Sequence, residues 1–88
     1  MKRKGKMEKT VFTPEYAVVL ELLKAAREAA GITQVELAAR LGQTQSFVSK
    51  VERGDRRLDI IQLRTILQGF GQSLPDFVTQ LESRLARR

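Results

Sequence analysis

The sequence predicts an all-α domain of five short helices, and three observations carry that expectation. Capping residues Thr13, Thr33, Asp59 and Ser73 each precede an apolar-periodic segment, and Gly31, Gly42, Gly54, Gly69 and Gly71 stand where such segments stop. Within the segments, apolar residues recur three and four apart, the repeat of one helix face. No stretch shows the sustained period-two alternation of a strand bounded by turns.

The first helix opens at Thr13-Pro14-Glu15: a hydroxyl cap, a proline at the first helical position and an acid in the first turn. It runs to Ala30, with Val19, Leu22, Leu23, Ala26 and Ala30 as its apolar stripe. The second covers residues 34–41, where Thr33 and Glu36 have the spacing of a capping box and Gly42 supplies the stop. The third runs from about Thr44 to Arg53, turns Val48 and Val51 inward and ends at Gly54. Asp59 caps a fourth carrying Ile60, Leu63, Ile66 and Leu67, closed by Gly69 and Gly71. Ser73 caps a fifth, with Pro75 and Asp76 in its first turn and a stripe of Leu74, Phe77, Val78, Leu81 and Leu85. Helices this short draw their stability from packing an apolar face against one another.

Eighty-eight residues fit one domain, read as a folded body over residues 13–88 behind a flexible basic arm at residues 1–12. There is no internal repeat. Cysteine and histidine are both absent, which removes disulfides, thiolate metal sites, the commonest metal ligand and the usual general base. No enzyme, metal site or cofactor is expected. No apolar run approaches the roughly 18 residues that span a bilayer, so no membrane role is expected and the cytoplasm is the expected location.

The net charge of +6 is unevenly spread. Residues 1–9 carry five Lys/Arg against one Glu, residues 84–88 carry three Arg, and the body between them nets −1. The basicity is in the tails. Any argument for nucleic acid must therefore rest on local placement, and a basic arm is ordinarily just solvated.

Local placement does point somewhere. The second and third segments are two short helices joined through a glycine, the layout of a helix-turn-helix with its core at residues 33–54. In that motif the second helix enters the DNA major groove by its N-terminal residues, and the first crosses the backbone. Such a helix needs one apolar edge as anchor and one polar edge free of core duties. Val48 and Val51 are the anchor, and Gln45, Ser46, Ser49 and Lys50 share the other edge at helical spacing. A glutamine amide pairs two-for-two with adenine N6 and N7, and a lysine reaches guanine acceptors or a phosphate. Most polar helix edges are simply solvated, and the edge chemistry alone leaves that alternative open.

The stretch TQVELAARLGQTQSFVSKVERGDR resembles the helix-turn-helix of the phage lambda repressor and Cro-like group, the Xre family of bacterial regulators. REAAGITQ upstream and LDIIQLRTILQGFG downstream keep the same register, so the likeness spans residues 19 to about 71. It implies a five-helix, lambda-repressor-like domain that binds double-stranded DNA. It further implies that Gln34 donates to a phosphate, that Thr44 is a cap beside the backbone and that Gln45 reads a base. Ser46 and Lys50 match variable base-reading positions, and Arg53 a phosphate contact just past the recognition helix. Arg56 and Arg57 fall, more loosely, in the loop that follows the backbone. Phe47 departs from the small residue of some phage members and is expected to pack on the neighbouring helix. Arg27 and Glu52 match a partly buried ion pair that locks the recognition helix in place.

The function implied is sequence-specific transcriptional regulation, as a repressor dimer on an inverted repeat, because one short helix reads too few bases alone. The apolar stripe of the fifth helix is the expected dimer contact, although closing the monomer core is an equally good use for it. The alternative class is the antitoxin of a toxin–antitoxin pair, which uses the same fold to bind a toxin and repress its own operon. The short basic extensions and the lack of an acidic segment count against that reading.

Overall fold

The computed structural model of the protein describes residues 13–87; the basic arm proposed for residues 1–12 lies outside the described residues. Five helices follow in chain order: α1 (Pro14–Ala29), α2 (Gln34–Leu41), α3 (Gln45–Arg53), α4 (Ile60–Gly69) and α5 (Leu74–Ala86). Among the described residues there is no strand, and no helix is long and apolar enough to cross a membrane.

A cap side chain accepts from one of the orphan amides at every helix start. Thr13 accepts from the Tyr16 amide, and Thr44 from that of Phe47, each at 3.1 Å. Ser73 accepts from the Asp76 amide at 3.2 Å. Thr33 and Glu36 form the reciprocal box, and Asp59 with Gln62 forms a second one. Gly42 and Gly54 cap α2 and α3 in the left-handed region, at φ 67° and 85°, where a side chain would be strained. Gly69 behaves differently. It is the last residue of α4 rather than a stop beyond it, and a Cβ there would lie 2.8 Å from Leu37 Cδ1. Its role is close packing of α4 on α2, with its carbonyl accepting from Arg40 Nη1 at 2.8 Å.

The core gathers Leu23, Ile32, Leu37, Ala38, Val48, Val51, Ile66, Leu67 and Phe77, one or more from every helix. The α1 stripe is wider than periodicity suggested. Val18 and Leu20 are buried along with Leu23, whereas Ala30 is exposed, because α1 is covered by both α3 and α5. Ile60 also departs from expectation. It is 62% exposed, since the first turn of α4 lies outside the packing that covers Ile66 and Leu67. Val78, expected in the α5 stripe, is exposed as well, leaving Phe77 as the fully buried anchor of that helix.

Candidate nucleic-acid interface

The interface is built outward from a buried charge. Arg27 on α1 is 6% exposed, and its side chain satisfies three acceptor atoms. Nε donates to Glu52 Oε2 at 2.6 Å, Nη2 to Glu52 Oε1 at 3.1 Å, and Nη1 to the Ile32 carbonyl at 2.7 Å. The Glu52 hydrogen bond holds the guanidinium above its ordinary pKa, outweighing the burial that pulls it down. This pair ties α1 both to α3 and to the loop entering α2. No buried polar side-chain atom among the described residues is left unpartnered.

From Glu52 the bonding continues to the surface. Gln34 at the start of α2 donates Nε2 to Glu52 Oε1 at 3.0 Å. Its own Oε1 accepts from Nε2 of Gln45, at the start of α3, at 3.1 Å. A chain thus runs from a buried arginine to an exposed amide: Arg27, Glu52, Gln34, Gln45. It fixes the Gln45 amide plane while consuming only one of its two N–H donors and neither lone pair of Oε1. One donor and the Oε1 acceptor are left for other partners, and a glutamine amide offering both can pair with an adenine edge.

The other sequence-selected residues divide into three settings. Ser46 and Lys50 are exposed on the same edge of α3 as Gln45, and Thr44 spends its hydroxyl on the cap. Ser49 is half-buried, with its Oγ accepting from Arg53 Nη1 at 2.7 Å. Arg53 also pairs with Asp55, whose Oδ2 lies 2.9 Å from Nη2, so part of its charge is neutralised within the chain. Arg56 and Arg57, in the loop after α3, each lie over an aromatic ring. The Arg56 guanidinium carbon is 5.0 Å from the Phe47 centroid, and that of Arg57 is 5.3 Å from the Tyr16 centroid. Phe47 itself packs against the core.

Electrostatics single out the start of α3. A helix N-terminus carries partial positive charge. In α1, α2 and α5 an acid in the first turn offsets it, and α4, which has none there, carries an acid at its cap, Asp59, whereas α3 has neither. Its exposed amides and hydroxyls therefore meet a polyanion without carboxylate repulsion.

The helix-turn-helix family model HTH_3 matches residues 23–77, from the middle of α1 into α5. The chain belongs to this helix-turn-helix family. It is 40% identical over 53 residues to the uncharacterised HTH-type transcriptional regulator y4dJ of Sinorhizobium fredii, covering 60% of this chain and 69% of that one. An XRE-family like protein from Pseudomonas syringae pv. tomato superposes with a TM-score of 0.79 at 47% identity, covering 89% of this chain and 95% of that one. The wild-type restriction-modification controller protein C.Esp1396I gives 0.79 at 26%, with 88% and 100% coverage. That controller has also been solved as a tetramer in complex with its natural 35 base-pair operator.

In this helix-turn-helix protein, α2 and α3 are the two helices of the motif, and α1 and α4 are the scaffold that buries their apolar faces. Sequence reasoning missed three contributors to the site. Tyr16 accepts a 3.3 Å hydrogen bond from the Leu58 amide besides stacking under Arg57, a contact 42 residues long that no local pattern reports. Asp55 lies two residues from Arg53, close enough for the ion pair to have been read from spacing. Glu52 was assigned to stability alone, yet it also receives the amide of Gln34.

Proposed function

We propose that this protein is a sequence-specific transcriptional repressor that binds an inverted-repeat operator as a dimer. The observation that carries the reading is the bonded chain from Arg27 to Gln45, which places an amide with a spare donor and acceptor at the free edge of α3. In this reading Gln45, Ser46 and Lys50 contact base edges. Gln34, Thr44, Ser49 and Arg53 set α2 and α3 against the backbone, and Arg56 and Arg57 follow the phosphates beyond. The operator complex of the controller protein, similar at 28% identity, supports a DNA target of this kind. In this reading the domain acts by occupying promoter DNA and excluding polymerase.

Selection of bound sequences from a random duplex pool tests the proposal. The expected product is an inverted repeat with half-sites about 34–36 Å apart, one helical turn. Placing that site over a promoter should lower transcription from it. A pool that shows no enrichment over random DNA at moderate salt would overturn sequence-specific binding, and increased transcription would overturn repression.

A further inference from the structure

Among the described residues, four large apolar side chains are substantially exposed: Val35 at 60%, Ile60 at 62%, Ile61 at 67% and Val78 at 38%. Only Ile60 and Ile61 adjoin. With Arg64, Thr65 and Gln68, also exposed, they share one continuous arc of α4. Beside that arc opens a groove of about 180 Å³, lined by apolar Leu41, Phe47, Ile61 and Ile66 and by polar Gln43, Arg56, Gln62 and Thr65. A projection and a recess therefore lie on one face.

We infer that this face of α4 is where two copies of the chain meet about a twofold axis, the isoleucines of each covering the groove of the other. The inference deepens the proposed dimer by naming its surface. A twofold contact uses the same patch on both copies, so the patch must complement itself, and a knob beside a hole does. Charge agrees with shape. Asp59 and Arg64 lie toward opposite ends of the isoleucine pair, so antiparallel α4 helices bring each Arg64 toward the other copy's acid. The patch is also continuous with the candidate DNA interface, because Phe47 belongs to α3 and forms one groove wall. Contact there sets the spacing of the two α3 helices directly. The stripe of α5 has less to offer: Phe77 is consumed by the monomer core, and Leu81 and Leu85 are half-buried.

Patch size decides how the dimer forms. α4 has ten residues, about 15 Å of helix, and one arc of it falls short of the roughly 800 Å² per partner of a standard interface. Association in free solution is therefore weak. DNA that holds two copies on adjacent half-sites raises their effective concentration and completes the dimer.

The chain has no cysteine, so a single introduced thiol reports contact without background. Thr65→Cys and Val78→Cys proteins, concentrated without DNA and treated with a short bis-maleimide, should differ. The first is expected to cross-link into a dimer and the second to remain monomeric. Adding Ile60→Ser and Ile61→Ser to Thr65→Cys should abolish the product with no loss of thermal stability. Cross-linking through Val78, through neither position, or through Thr65 despite both serines would overturn the inference. On a selected inverted repeat, the serine pair should keep single half-site affinity and lose cooperative filling by on the order of 10²-fold. Undiminished cooperativity would overturn it too. If the protein selects no DNA, the proposed function fails, while the cross-linking result still decides the surface.

Discussion

The starts of α2 and α3 and the loop at residues 54–59 lie side by side, yet they are held by different physics. At the helix starts, Gln34 bonds directly to Glu52 of the nearly buried Arg27–Glu52 pair at 3.0 Å, and Gln45 joins one step further out, through an exposed amide–amide bond of 3.1 Å to Gln34. In the loop, Arg56 and Arg57 rest on the Phe47 and Tyr16 rings, and a single 3.3 Å bond from the Leu58 amide reaches the Tyr16 hydroxyl. A hydrogen bond to a charged group in a dry setting fixes direction as well as distance. A guanidinium over an aromatic face keeps its height but slides in the plane at little cost. The first arrangement suits discrimination between base edges, where a misplaced amide pairs with nothing. The second suits phosphates, which recur along the duplex and accept a donor from many directions.

The largest expected effect comes from cutting the first arrangement at its root. Arg27→Ala leaves the Glu52 carboxylate without its counter-ion, with only the Gln34 amide donating to it, and takes the Arg27 donor from the Ile32 carbonyl. Loss of one partner from such a pair costs about 3–5 kcal/mol, which equilibrium denaturation would read as a markedly lower midpoint. A loss below 1 kcal/mol would mean that the pair is well solvated and does not anchor the site. Next in size is Gln45→Ala. It should cost about 1–3 kcal/mol on the selected operator, relax preference at one base position and leave affinity for random duplex nearly unchanged. Equal losses on both duplexes would place Gln45 among the backbone contacts and erase the distinction between the two regions. Because Gln34 orients that amide, Gln34→Ala should repeat part of the specificity loss. Gln34→Glu should lose more, since it sets a second carboxylate against Glu52.

Much of this arrangement was legible in the sequence, and the rest was not for a definable reason. Helix starts announce themselves locally: Thr33 with Glu36, or Ser73 with Pro75, needs only three residues to be read. The spacing of Val48 and Val51 likewise set the polar edge of α3 outward. Arg27 and Glu52 are 25 residues apart, and only the family resemblance joined them. Tyr16 and Leu58 had no such guide. Ile60 was misassigned because periodicity gives a direction but not where the covering helices end. Its angle on α4 is close to that of Leu67, yet the first turn projects beyond the core. Gly69 was read as a stop, when the 2.8 Å approach of Leu37 to a Cβ there makes it a packing residue. Local chemistry is encoded locally, whereas the reach of a neighbour is a property of the assembled fold.

The smallest expected effect tests the loop. Tyr16→Phe keeps the ring under Arg57 and removes the hydroxyl that accepts from the Leu58 amide, whereas Tyr16→Leu removes both. If ring and hydroxyl only position Arg57 for a phosphate, neither variant should alter which sequence the protein selects. Arg57→Ala sets the scale: loss of one phosphate contact should flatten the slope of log K against log salt by about 0.9. Tyr16→Leu should approach that value, because an arginine without its ring is held to the backbone less of the time. Tyr16→Phe should fall between Tyr16→Leu and the unaltered protein, and Phe47→Leu should act on Arg56 in the same way. Titrations on the selected operator at four or five salt concentrations resolve slopes of this size. An unchanged slope in Arg57→Ala would assign that arginine to solvent, and the Tyr16 contact would then serve only to join the loop to α1. A slope that flattens together with a change of selected sequence would show the loop reading DNA shape, and the separation between the two regions would fail at its weaker end.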